Sequence, residues 1–111
     1  MEYIKLYEDF EPVKEKTFLY WLENNSLYKG KSGWANIKSI DCGEMDLTSL
    51  EGIDKLKRLK ELYCNNNRLT SLEGIENIVN LQYLNCYSNQ ITSLKVIENL
   101  VNLQRLYCYN N

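Results

Sequence analysis

The stretch "LKELYCNNNRL", Leu59 to Leu69, sets a cysteine among tyrosine and asparagine neighbours. Nearly the same stretch returns as "LQYLNCYSNQI", Leu81 to Ile91, and as "LQRLYCYNN", Leu103 to Asn111. A reactive site and a repeated structural unit look alike over so short a window, and the spacing separates them. The four cysteines stand at 42, 64, 86 and 108, always 22 residues apart. The apolar positions keep the same clock. Leu59, Leu62, Cys64, Asn67, Leu69, Leu72, Ile75 and Ile78 are followed by Leu81, Leu84, Cys86, Asn89, Ile91, Leu94, Ile97 and Leu100. The window before them reads Ile37, Ile40, Cys42, Met45, Leu47, Leu50, Ile53 and Leu56, with methionine in place of asparagine. One such unit cannot bury its apolar side alone, so stability must reside largely in stacking between units.

Inside each window the pattern changes character. The alternation Leu62, Tyr63, Cys64 predicts a short strand with leucine and cysteine inward and tyrosine outward. After Asn67 the apolar spacing becomes three, which suits a tight 3-10 or irregular return better than a long helix. These residues follow L-x-x-L-x-L-x-x-N-x-L, with cysteine at the third apolar place. Residues 37–111 thereby resemble the leucine-rich repeat family, in the 22-residue form of internalins and phosphatase regulators. The resemblance implies an α/β fold, a short right-handed solenoid with parallel strands on the concave face and 3-10 or irregular segments on the convex side. It also implies protein binding through the concave face. The repeats are 37–58, 59–80, 81–102 and a partial 103–111, preceded by an N-terminal helical cap, 1–36, in one structural domain.

The cap breaks the period. "PVKEKTFLYWLENN" reads as a helix with Pro12 first, with Val13, Thr17, Phe18, Trp21 and Leu22 on one broad face, and with Asn24 or Asn25 ending it. "EYIKLYEDF" fits a helix through Tyr3, Leu6, Tyr7 and Phe10, or a short strand through Ile4 and Leu6. In "LYKGKSGW" the Gly30–Ser32 triplet invites a phosphate-loop reading. That motif needs a glycine five places before Gly30, where Asn25 stands, so a solvated turn is expected, with Trp34 anchored under the cap.

Composition excludes several functions. The chain has 111 residues, 13 basic and 15 acidic side chains and a net charge of −2, without the clustered positive face that nucleic acid or an anionic membrane requires. No apolar run is long enough to span a membrane and no secretory signal opens the sequence, so a cytoplasmic location with reduced thiols is expected. Histidine is absent, which removes His-activated nucleophiles and histidine metal ligands. No enzyme activity and no cofactor are expected. Cysteines repeated at one place per coil form a line, which cannot converge on a tetrahedral metal, and they are read as core filler. Asn67 and Asn89 are read as an inward asparagine ladder that satisfies backbone groups at each bend. Met45 is expected where the backbone meets the cap. Glu51–Gly52 and Glu73–Gly74 become Lys95–Val96, so glycine is not expected to be obligatory there.

The candidate protein-binding residues lie on the strand face: Asp41, Glu61, Tyr63, Tyr83, Asn85, Tyr87, Arg105, Tyr107 and Tyr109. Tyrosine offers large amphipathic contact area at low entropic cost. Stacking between neighbouring coils, copied along with the repeat, is the competing account. The partner expected is a protein or peptide. The alternative is a self-assembling unit. Because the sequence stops at Asn111 in mid-repeat, the strand Leu103–Cys108 would leave an open edge for a homo-oligomer, a partner chain or further repeats to cover.

Overall fold

The computed structural model describes residues 16–28 and 30–111. Each 22-residue window contributes one short strand: β1 (Ser39–Asp41), β2 (Glu61–Tyr63), β3 (Tyr83–Asn85) and β4 (Arg105–Tyr107). They form a parallel sheet in the order β1-β2-β3-β4. The register equals the sequence period: Ile40 lies opposite Leu62, Leu62 opposite Leu84, and Leu84 opposite Leu106. A three-residue strand is short, but the ladder continues past it. Lys60 N–H donates to Lys38 at 2.7 Å, Cys42 N–H to Tyr63 at 2.8 Å and Glu44 N–H to Asn65 at 3.0 Å. The alternation of the sequence then decides burial. Ile40, Leu62 and Leu84, with Cys42, Cys64 and Cys86, lie in the core, while their strand neighbours face out.

After each strand the chain turns at one equivalent position with left-handed backbone, Glu44, Asn66, Ser88 and Asn110, with φ of 59°, 56°, 59° and 57°, and after β1 also at Asp46, with φ of 56°. Asparagine tolerates this region better than most L-residues, which accounts for two of the four. The return path enters the 3-10 turns Ile53–Lys55 and Ile75–Asn77 through Gly52 and Gly74, whose φ are 95° and 102°. Only glycine takes that conformation without strain.

The third window departs from this path. Lys95 and Val96 replace the Glu–Gly pair, Leu94 keeps a φ of −106°, and the 3-10 turn runs Lys95–Ile97, two residues early. Leu94 is 37% exposed and Ile97 only partly buried, whereas Leu50, Ile53, Leu72 and Ile75 are fully buried. As expected, glycine is not obligatory for a 3-10 return, but the return that lacks it is placed two residues earlier.

The cap helix runs Phe18–Asn24 and buries Phe18 and Leu22. Thr17 is not on its face. It stands at the N-cap with extended backbone, its Oγ1 accepting the Tyr20 N–H at 3.0 Å, and it forms a parallel bridge to Ser49. The bridge explains the difference from the sequence reading, because Lys16–Leu19 are joined to the first coil by backbone bonds. Thr48 N–H donates to Lys16, Phe18 N–H to Ser49 and Leu19 N–H to Glu51, at 2.8 to 3.0 Å. Asn25 is the C-cap, as read. Trp34 is buried, its Nε1 donating to the Tyr28 carbonyl at 2.9 Å. Gly30 is the exposed N-cap of the 3-10 helix Lys31–Asn36. The expected start at Pro12 and the reading of "EYIKLYEDF" lie outside the described residues.

Candidate functional site

The outward face of the sheet is a grid written by the repeat. One row reads Ser39, Glu61, Tyr83, Arg105 and the next reads Asp41, Tyr63, Asn85, Tyr107. Gly43, Asn65, Tyr87 and Tyr109 follow two residues further on. The rings of Tyr63 and Tyr83 sit 4.9 Å apart and those of Tyr83 and Tyr107 5.6 Å apart, all tilted. These contacts are diagonal, since Tyr83 pairs in register with Glu61 and Arg105. Tyr87 and Tyr109 make a second pair at 4.6 Å. Aromatic contacts of this kind are favourable in tilted geometry and hold each ring in place before any partner arrives.

Exposure rises along the face. Tyr63, Tyr83 and Tyr87 are half-buried, whereas Tyr107 and Tyr109 are 41% and 60% exposed. Asp41, Glu61 and Arg105 are exposed. Two of the candidate polar groups are already engaged in part. Asp41 Oδ1 accepts the Gly43 N–H at 2.9 Å, and Asn85 Oδ1 accepts the Tyr87 N–H at 3.2 Å. Partial burial raises the Tyr63 phenol above its ordinary value of 10.0, and Glu61, Tyr83 and Asp41 add to the effect.

Behind this face lies the row of thiols. All four are free; Cys42, Cys64 and Cys86 are buried and Cys108 is half-buried. Burial pushes Cys42 up to about 12, with Asp41 adding to it, and Cys86 up to about 11. Cys64, between Cys42 and Cys86, is likewise raised well above its ordinary value by burial, and the two neighbouring thiols add to the effect. A buried neutral thiol packs as a small apolar group and is a poor nucleophile.

The asparagines at the bends bond across coils. Asn67 Oδ1 accepts the N–H groups of Met45 and Leu47 in the preceding coil, at 3.0 and 2.9 Å. Its Nδ2 donates to the carbonyls of Cys42, Cys64 and Asn65. Asn89 accepts from Leu69 and donates to Cys64, Cys86 and Tyr87. Asn111 repeats this with Ile91, Cys86, Cys108 and Tyr109. The cap joins this coil through backbone bonds at Thr48, Ser49 and Glu51, shortly after Met45, whose side chain is 38% exposed.

Concavities elsewhere among the described residues were not anticipated. A shallow groove of about 500 Å³ on the return side is lined by the Glu51–Gly52 and Glu73–Gly74 turns with Asp54 and Glu76. Its signal in the sequence was the repeated Glu–Gly pair. A smaller cavity of about 140 Å³ lies among Cys86, Ile91, Thr92, Ser93, Leu94, Cys108 and Asn111, beside the last coil.

No helix among the described residues is long and apolar enough to cross a membrane. Comparison with curated proteins gives no match. Among solved structures, an internalin from Listeria monocytogenes superposes with a TM-score of 0.72 at 26% identity, over 84% of this chain and 28% of that one. The chain therefore spans well under half of that protein's length. The sequence model of the leucine-rich repeat family matches residues 31–110, the interval that holds all four strands and their returns. By that match, and by the stacked coils that carry it, the chain belongs to the leucine-rich repeat family.

Proposed function

We propose that the chain is a non-catalytic interaction module, with cap (1–36) and repeats (37–111) acting as one unit, which binds a protein or peptide on the outward face of its sheet. Leucine-rich repeat domains generally mediate protein–protein interaction and are generally not enzymes. The observation that carries this reading is the double run of tyrosine contacts, Tyr63–Tyr83–Tyr107 and Tyr87–Tyr109. Neighbouring rings hold one another, so a partner meets aromatic area whose ordering cost is already met within the fold. Asp41, Glu61, Asn85 and Arg105 add polar groups of both signs, which suits a protein surface better than a polyanion. The free thiols suit a reducing compartment, and a cytoplasmic location belongs to this reading.

The test is selection of binders from a displayed random-peptide library, followed by binding to a Tyr83→Ala, Tyr87→Ala, Tyr107→Ala variant shown to be folded by circular dichroism. Loss of the selected peptides supports the reading. Undiminished binding, or no binder at all, overturns it.

A second reading, self-association through β4, is favoured by one feature. Leu106 is only partly buried where Leu62 and Leu84 are fully buried, and in the same last coils Leu94 is 37% exposed and Cys108 half-buried. A second copy laid against this edge would complete the burial. Light scattering over a concentration series decides it: a dimer abolished by Leu106→Glu supports it and a persistent monomer rejects it.

A further inference from the structure

The outward face carries its charges unevenly. Asp41 and Glu61 are exposed on β1 and β2, and Arg105 is exposed on β4. Glu61, Tyr83 and Arg105 form one row across three strands, with Asp41 and Tyr63 adjacent in the next row. At about 4.8 Å per strand, the backbones of Glu61 and Arg105 are about 10 Å apart across the sheet. Building on the peptide-binding reading above, we infer that the partner is a proline-rich extended segment carrying a basic side chain and, three residues away, an acidic one, laid across the strands over Tyr83.

The spacing selects the conformation. A polyproline-II segment has three residues per turn and rises about 3.1 Å per residue, so positions i and i+3 share a face about 9 Å apart. A β-extended segment alternates with period two and would send i and i+3 to opposite faces. A helix with three rows of side chains can lay two of them on a surface, so the proline row beside the charged row would meet the ring of Tyr83, and such a segment is already stiff before binding. At one end, a lysine or arginine over Tyr63 would meet a ring flanked by two carboxylates, combining ion pairing with cation–π attraction. At the other end Arg105 would take the acidic side chain. Lys38 and Lys60 stand one residue before β1 and β2, so discrimination rests on the position of the charges rather than on net charge.

The probes are two end-blocked peptides, PPRPPEPP and the neutral PPQPPQPP, titrated against the full chain by NMR. The charged peptide is expected to bind about five- to thirty-fold more tightly, from two or three exposed pairs and one ring contact. That preference should shrink with added salt and vanish in an Asp41→Asn, Glu61→Gln, Arg105→Gln variant. Asparagine at 41 retains the oxygen that accepts the Gly43 N–H, so the local turn is preserved. Equal binding of both peptides, or a preference that survives the triple variant, overturns the inference. If such equal binding is lost in Tyr83→Ala, Tyr107→Ala, the peptide-binding face stands and only its charge code falls. Binding of neither peptide also overturns the inference, while the library selection judges the face independently.

Discussion

Asn67 and Met45 occupy the same place in successive coils, and the Asn67 side-chain oxygen accepts the Met45 N–H at 3.0 Å. Each bend asparagine therefore serves the coil before its own. This gives Met45 a physical reason: among the described residues no earlier coil of this kind waits for an amide at that position. Asn67→Ala would leave buried backbone groups of both coils unpaired, at a cost of about 1 to 3 kcal/mol. Met45→Asn, at a partly exposed site, should stay within about 0.5 kcal/mol. Urea melts of the two variants make the comparison, and a neutral Asn67→Ala would defeat the assignment.

Gly52 carries two constraints at once. Its φ is 95°, and a Cβ built on it would lie 2.6 Å from Leu19 Cβ in the cap helix. Gly52→Ala should therefore exceed the about 1 to 2 kcal/mol of left-handed strain alone, because the cap must shift. Gly43→Ala meets only the side-chain amide of Asn65, at 3.0 Å, and should cost less. Thermal melts that rank the two the other way would contradict close docking of the cap.

Thr17 closes the start of the cap helix through its hydroxyl. Thr17→Ala should cost about 0.5 to 2 kcal/mol and Thr17→Ser much less, since serine keeps the capping oxygen. Equal melting of the two variants would mean that the cap bond contributes nothing.

The buried thiols make stability sensitive to alkali. Burial pushes Cys42 up to about 12 and Cys86 up to about 11 in the folded chain, above the ordinary value of 9.0 that the unfolded chain approaches. Groups with raised folded values contribute stability fully below the unfolded value, and that contribution is lost as pH rises through the folded ones. Denaturant melts should weaken progressively from about pH 9 to 12. A Cys42→Ala, Cys86→Ala variant should start weaker at neutral pH and decline less steeply. In native protein a thiol reagent should reach half-buried Cys108 first and Cys64 last; rapid labelling of Cys64 would contradict its burial.

The order of the sheet and its inward row are legible in the sequence. A period of 22 places Ile40, Leu62, Leu84 and Leu106 on one line only if the coils stack in register, and parallel strands with one side chain per coil permit nothing else. The gathering of tyrosines on the opposite row followed from the same alternation. Their diagonal pairing did not, because Tyr63 touching Tyr83 depends on how neighbouring strands offset their side chains. The periodic pattern also promised equal burial for Leu72 and Leu94, yet Leu94 is part-open. Burial of a return segment depends on the turn that delivers it and on the coil laid over it, and neither is encoded in the residue itself. Thr17 shows the same limit. A helical pattern assigned it a face, while its backbone pairing with Ser49, 32 positions away along the chain, drew it out to the cap. Local spacing specifies which side chains share a row; long-range backbone pairing and close approach decide where each element stops.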